Sequence, residues 1–164
     1  VGFGSAQGEG GVQLMTDLRD LYQEVILDHS KNPRNFRKLE NATHEAVGHN
    51  PLCGDKIVIY VKLEDGVIED ISFQGIGCAV SQASASMMTE RVKGKTQAEA
   101  EALFERFHDL VTGKLGDKPG APELGKLEMF AGVQKYPIRV KCASLPWHTL
   151  RAALENKSEA VSTE

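Results

Sequence analysis

The run Asn50-Pro51-Leu52-Cys53-Gly54-Asp55, continued by Lys56-Ile57-Val58-Ile59-Tyr60-Val61-Lys62-Leu63, Glu64-Asp65-Gly66, Val67-Ile68-Glu69-Asp70-Ile71-Ser72-Phe73 and Gln74-Gly75-Ile76-Gly77-Cys78, decides how this chain folds. Two stretches rich in β-branched and aromatic residues flank a three-residue loop with Gly in third place. That pattern predicts a hairpin closed by a type I turn and a left-handed glycine bulge. In this register Leu63 pairs with Val67, Val61 with Glu69, Ile59 with Ile71 and Ile57 with Phe73. Ile57, Ile59, Leu63, Val67, Ile71 and Phe73 then share one face. A two-residue loop would set Ile59 against Ser72 and Val61 against Asp70, mixing apolar and polar residues on each face, so the three-residue loop is preferred. Extended to the open end, it places Cys53 opposite Gly77, one residue from Cys78, where facing Cα atoms lie about 4.5–5.5 Å apart. The sulfurs of Cys53 and Cys78 are expected to meet there.

Working outward, residues 1–14 carry five glycines and no structural period, and read as a disordered N-terminal tail outside the fold. From Thr16, Leu18, Leu21, Tyr22, Val25 and Ile26 fall on one helical face, and the helix should end near Asp28 to Ser30, before Asn32-Pro33. Arg34 to Asn41 is a polar connection, and Thr43 to Val47 a short edge strand. After Cys78 the Ala, Ser, Gln and Met of 79–92 predict a helix that starts at or just after the cysteine and stops at Gly94. Thr96-Gln97-Ala98-Glu99 is a capping box for a second helix with Leu103, Phe107, Leu110 and Val111 inward and Gly113 at its end. Gly116 to Gly125 reads as a surface loop, and Leu127 to Ala131 as a short helix closed by Gly132. Tyr136-Pro137 opens a last helix that carries Arg139, Lys141 and Cys142 through to Leu154, with a kink or a restart expected at Pro146. Residues 15–156 thus form one domain, and 157–164 a disordered C-terminal tail.

At 164 residues the chain is long enough to bury about 70% of its unfolded surface around one core. A net charge of −4 and a pI near 5.8 argue against a general nucleic-acid binder, since no basic face is available to neutralise phosphates. No apolar run approaches the ~20 residues of a membrane span, and the N-terminus lacks the basic and apolar regions of a signal peptide. A cytoplasmic protein without a membrane partner is expected. Three cysteines cannot all pair within one chain, and in a reducing compartment thiols serve metal binding or reactivity more often than cross-linking.

Cys53, Asp55, Cys78 and Cys142 are the candidates for one site. Thiolates suit zinc or an iron–sulfur cluster, and a carboxylate oxygen is an acceptable fourth zinc ligand. Cys78 at a helix start gains from backbone N–H groups and the positive end of the helix dipole, which favour thiolate. The bland alternatives stand beside this: any one cysteine can be a small core hydrophobe, Asp55 a turn or strand cap, and Met87 and Met88 core filling. The five histidines are scattered without H-x₃-H spacing. Arg139 and Lys141 are either solvated or cations that stabilise a neighbouring thiolate.

The motifs Asn50-Pro51-Leu52-Cys53-Gly54-Asp55, Gly75-Ile76-Gly77-Cys78-Ala79-Val80-Ser81 and Arg139-Val140-Lys141-Cys142-Ala143 resemble those of the U-type iron–sulfur cluster assembly proteins, the IscU/NifU N-terminal family. The resemblance covers about residues 17–155. It implies an α+β fold of the SufE/NifU-like kind, a three-stranded antiparallel sheet packed with about five or six helices and the cysteines at one end. Within the family the chain is similar to the SufU branch. The scaffold branch has a His directly before its third cysteine and a Leu-Pro-Pro-Val-Lys docking motif, whereas here Lys141 precedes Cys142 and the upstream run is Tyr136-Pro137-Ile138-Arg139-Val140. The segment from Gly116 to Gly132 also resembles the SufU insertion. The resemblance implies a zinc held by Cys53, Asp55, Cys78 and Cys142, with Arg139 and Lys141 around it. It further implies that Cys53 accepts persulfide sulfur from a PLP-dependent cysteine desulfurase, a sulfurtransferase-like role short of a stand-alone enzyme, and passes it to a downstream Suf-type cluster scaffold. The alternative is a scaffold that binds iron and builds a [2Fe–2S] cluster on the same three cysteines and Asp55. A purely structural zinc module and a self-sufficient cysteine nucleophile rank lower.

Overall fold

A computed structural model describes residues 24–114, 122–156 and 161–162. The expected N-terminal tail and the start of the first helix lie outside these residues. Among them, helix α1 covers 24–31 and is followed by β1 (His44–Asn50), β2 (Asp55–Glu64), β3 (Val67–Ile76), α2 (Ala79–Val92), α3 (Gln97–Thr112), a 3-10 segment (Pro122–Lys135), α4 (Pro137–Leu154) and β4 (Val161–Ser162). The sheet order is β3-β2-β1-β4. The first three strands form the expected antiparallel sheet. Two residues of the stretch read as a C-terminal tail, Val161 and Ser162, pair in parallel with Gly48 and His49.

The hairpin differs from its expected register in an instructive way. Glu64 pairs with Val67 and Leu63 with Ile68, so the loop has two residues, Asp65 and Gly66, with φ of 54° and 78°. Two consecutive positive φ values define a type I′ turn, whose twist matches that of the strands, and glycine bears its second position without steric cost. The two-residue loop would have mixed the faces, but the register shifts between Lys62 and Leu63, and beyond it Val61 faces Ile71, Ile59 faces Phe73 and Ile57 faces Gly75. A bulge that absorbs Glu69 restores the alternation. Ile68 therefore joins Ile57, Ile59, Val61, Ile71 and Phe73 in the core, and Val67, expected inside, is only partly buried.

Helices cover the sheet's apolar face. α4 lies against β1 and β2, α2 against β3 and α4, and α3 with the 3-10 segment forms an outer layer. α2 is buried on nearly every side, and its small residues allow that. Its hydroxyls are satisfied: Ser84 Oγ donates to the Ala143 carbonyl of α4, and Ser86 Oγ accepts the Arg34 N–H at 2.8 Å. Met87 and Met88 fill the core as expected. The capping box at α3 forms in full, with Thr96 Oγ1 accepting from the Glu99 N–H and Glu99 Oε1 from the Thr96 N–H.

Two segments are more ordered than their composition suggests. Arg34 to Asn41, read as a polar connection, runs along the free edge of β3: the Arg37 N–H donates to the Phe73 carbonyl and the Phe73 N–H to the Asn35 carbonyl, each at 3.0 Å. This covers an edge that would otherwise invite pairing with another chain. The short helix expected at Leu127 to Ala131 is part of a longer 3-10 segment, Pro122–Lys135, broken at Gly125. Leu124, Leu127, Phe130 and Val133 are all buried. Their strict spacing of three matches the three residues per turn of a 3-10 helix, so burial holds together a run longer than its hydrogen bonds favour. In α4, Pro137 occupies the first turn and Pro146 lies inside a continuous helix, so the expected restart does not occur.

One buried and one half-buried histidine make the fold sensitive to acid. His29 Nδ1 lies 2.8 Å from Ser86 Oγ, and burial pushes the imidazole below its ordinary 6.5, against the pull of Glu90 at 3.8 Å. His148 is lowered by burial first, then by His108 and Arg151. As pH falls through 6.5 the unfolded chain takes up these protons before the folded one, so stability is full above that pH and lost progressively below it. Chemical denaturation at descending pH is expected to show this loss. The His29→Asn variant should show a shallower slope; an unchanged slope would exclude His29.

Candidate metal centre

Three elements converge at the open end of the hairpin. β1 ends at Asn50, which pairs directly with Asp55, the first residue of β2. Between them Pro51, Leu52, Cys53 and Gly54 form a turn, with the Cys53 N–H donating to the Asn50 carbonyl at 3.2 Å. Cys53 thus stands in the β1–β2 turn and not across from Gly77; it is Asp55 that meets Gly77. The sequence expectation erred here because the strand was extended through residues that turn.

Asp55 is fully buried. Its Oδ1 accepts the Cys78 N–H at 2.8 Å, and its Oδ2 lies 3.5 Å from Asn50 Nδ2. A Cβ on Gly77 would fall 2.6 Å from Asp55 Oδ1, so the carboxylate occupies space that any side chain at 77 would claim. From α4, Cys142, also fully buried, brings its Sγ to 3.2 Å from Cys53 Sγ and 3.7 Å from Asn50 Nδ2. One turn earlier, Arg139 Nη1 is 3.9 Å from the same sulfur. Among the described residues no hydrogen bond or ion pair joins Lys141 to this cluster, so of the two expected cations only Arg139 touches it.

Ligating atoms of Cys53, Asp55 and Cys142 all lie within 4.8 Å of one another. Cys78 sits at the N-cap of α2, half-buried, and is not within that radius of all three. It interacts with Cys142 instead. The hydrogen bond from Cys142, reinforced by backbone N–H groups of Ser81 and Val80 at the helix start, lowers the Cys78 thiol to about 6, against the opposing effect of burial. Cys142 is pushed up, first by that same hydrogen bond and then by burial.

This donor set fits a metal ion. A buried carboxylate is costly unless paired, yet among the described residues no basic side chain forms an ion pair with Asp55. A cation held by this oxygen and the sulfurs of Cys53 and Cys142 would complete the balance. Thiolates with one carboxylate match the preferences of zinc and of iron–sulfur clusters. The sequence motif contained Asn50 and Gly77, but nothing in its spacing revealed that both shape Asp55.

An α+β domain with a sulfur-rich, carboxylate-completed centre at the sheet's open end defines a class, and the comparisons identify it. Residues 21–143 match the NifU-like N terminal domain. The chain is 44% identical over 147 residues to the iron-sulfur cluster assembly scaffold protein IscU of Streptococcus pyogenes, covering 89% of this chain and 90% of that one. It is 43% identical over 134 residues to the zinc-dependent sulfurtransferase SufU of Bacillus subtilis, covering 82% and 89%. Among solved structures, a putative iron-sulfur cluster assembly scaffold protein for the SUF system from Fervidobacterium islandicum superposes with a TM-score of 0.74 at 40% identity, over 80% of this chain and 94% of that chain. The chain belongs to the NifU-like N-terminal domain family, with IscU and SufU proteins as its relatives.

Proposed function

We propose that this protein is an iron–sulfur cluster assembly protein of SufU type, a zinc-dependent sulfur acceptor in the cytoplasm. Cys53, Asp55, Cys78 and Cys142 would hold the zinc, which when bound supplies positive charge that keeps the sulfurs deprotonated. The observation that carries the reading is the asymmetry of the three thiols. Cys53 lies in a partly exposed turn, whereas its neighbour Cys142 is buried. Cys78 is half-buried too but is tied to the start of α2 with its N–H held by Asp55, so Cys53, on a turn, is the sulfur best placed for a partner. Its thiolate attacks the terminal sulfur of a persulfide on a PLP-dependent cysteine desulfurase; the partner's S–S bond breaks, a new S–S bond forms on Cys53, and the partner's cysteine leaves as thiolate. The sulfur then passes to a Suf-type scaffold. No helix of the described residues is long and apolar enough to cross a membrane.

A [2Fe–2S] scaffold is the second reading, favoured by the IscU relative, 44% identical against 43% for the SufU relative. Metal analysis of the purified protein, with its effect on cysteine-dependent sulfide release by the desulfurase, separates the two. Stoichiometric zinc and faster sulfide release are expected. A stable stoichiometric cluster after anaerobic reconstitution with iron and sulfide, and no stimulation, would overturn the sulfur-acceptor reading.

A further inference from the structure

We infer that Asn50 is a positioning residue of the metal centre, whose carboxamide fixes Asp55 and Cys142 while leaving the Cys53 sulfur free to depart. The inference rests on the metal-centred reading above and concerns how the site is held together. Asn50 has no exposed surface. It ends β1 directly opposite Asp55, and such cross-strand partners have Cβ atoms about 4.5–5.5 Å apart, within reach of two short polar side chains. Its Nδ2 lies 3.5 Å from Asp55 Oδ2 and 3.7 Å from Cys142 Sγ, so one amide group bridges acceptors from β2 and α4. Carboxylate and thiolate are both acceptors, so only the NH₂ side of the amide satisfies them.

The other side of the amide, Oδ1, is buried with no hydrogen-bond partner among the described residues. A buried polar atom left unpaired in a native fold calls for an explanation. Here the two donor protons are directed at the site, and an apolar residue or an Asp of the same shape would lack them. To Cys53 Asn50 offers only its backbone carbonyl, which accepts the turn's N–H. Its side chain thus grips two candidate ligands while the sulfur of Cys53 carries no such restraint.

The test compares the full-length wild type with Asn50→Ala and Asn50→Asp. Zinc affinity is measured by competition with a chromophoric chelator, and the cobalt-substituted forms are compared by their thiolate-to-metal absorption. Both variants are expected to bind zinc about tenfold to a hundredfold more weakly, the usual effect of removing a group that orients ligands, with a shifted cobalt spectrum. Affinity in Asn50→Asp within about threefold of wild type, with an unchanged spectrum, would overturn the inference even if Asn50→Ala were impaired, since that pattern reflects lost volume alone. Should a variant fail to fold, NMR of the wild type decides. The Asn50 side-chain amide protons are expected to shift and exchange more slowly on cadmium loading, and no change would count against the role. These outcomes are independent of sulfur transfer: a wild type that takes up no sulfur removes the functional reading and leaves the metal result standing.

Discussion

Replacing Cys53 with serine is expected to abolish sulfur uptake while leaving the fold intact. Incubated with desulfurase and cysteine, the wild-type protein should gain the mass of one sulfur on Cys53, and Cys53→Ser should gain none. The drop should be at least about a hundredfold, because removing a nucleophile costs far more than removing a group that orients it. Serine preserves the shape of the turn and its N–H bond to the Asn50 carbonyl. What it lacks is a group that ionises near neutral pH and attacks a sulfur. Neither remaining thiol is a ready substitute, because Cys142 is buried and Cys78, though half-buried like Cys53, is tied to the start of α2 with its N–H held by Asp55. A serine variant that accepts sulfur at the wild-type rate would refute the assignment of Cys53.

The second large effect is expected at a residue that burial alone would pass over. Gly77 is exposed and its backbone is not left-handed, so neither packing nor strain marks it. An alanine there places a methyl group 2.6 Å from Asp55 Oδ1 and 3.1 Å from its Cγ. Asp55 has little freedom to move aside, being buried at the start of β2 with its Oδ1 on the Cys78 N–H. Overpacking and the loss of a hydrogen bond to a buried charge together cost about 3 kcal/mol, or about 6–12 °C in Tm. Zinc affinity should fall about tenfold or more as the carboxylate is displaced. Melting curves and chelator competition on Gly77→Ala check both, and a variant equal to wild type in both would show that Asp55 need not sit where it does.

Much of this was legible in the sequence because several signals were local. The capping box at Thr96 and the start of α2 at Cys78 need only neighbouring residues, and the apolar alternation of Ile57, Ile59, Ile71 and Phe73 demands a common face whatever the loop. The loop itself was misread because Asp65-Gly66 and a bulge at Glu69 reach nearly the same face by another route, and single-residue slips are invisible to periodicity. The 3-10 segment carried its mark in the spacing of Leu124, Leu127, Phe130 and Val133, a period of three that resembles a weak helix when sought at 3.6. Of the four residues read as one site, Cys53, Asp55 and Cys142 come together, but the contacts expected among them were not the ones that form. Cys53 meets Cys142 and Asp55 meets Gly77, contacts set by the β1–β2 turn and by the docking of α4, which only the folded chain brings about.

The two sulfurs that touch across the centre belong to residues 89 positions apart. An ion gripping both would staple a loop holding the β2–β3 hairpin, the helices α2 and α3 and the 3-10 segment. Closing so long a loop removes more chain entropy from the unfolded ensemble than a local metal knuckle does. Metal supply then acts on the lifetime of the folded chain as well as on its chemistry, and a molecule deprived of its ion would be the one most readily cleared by proteases.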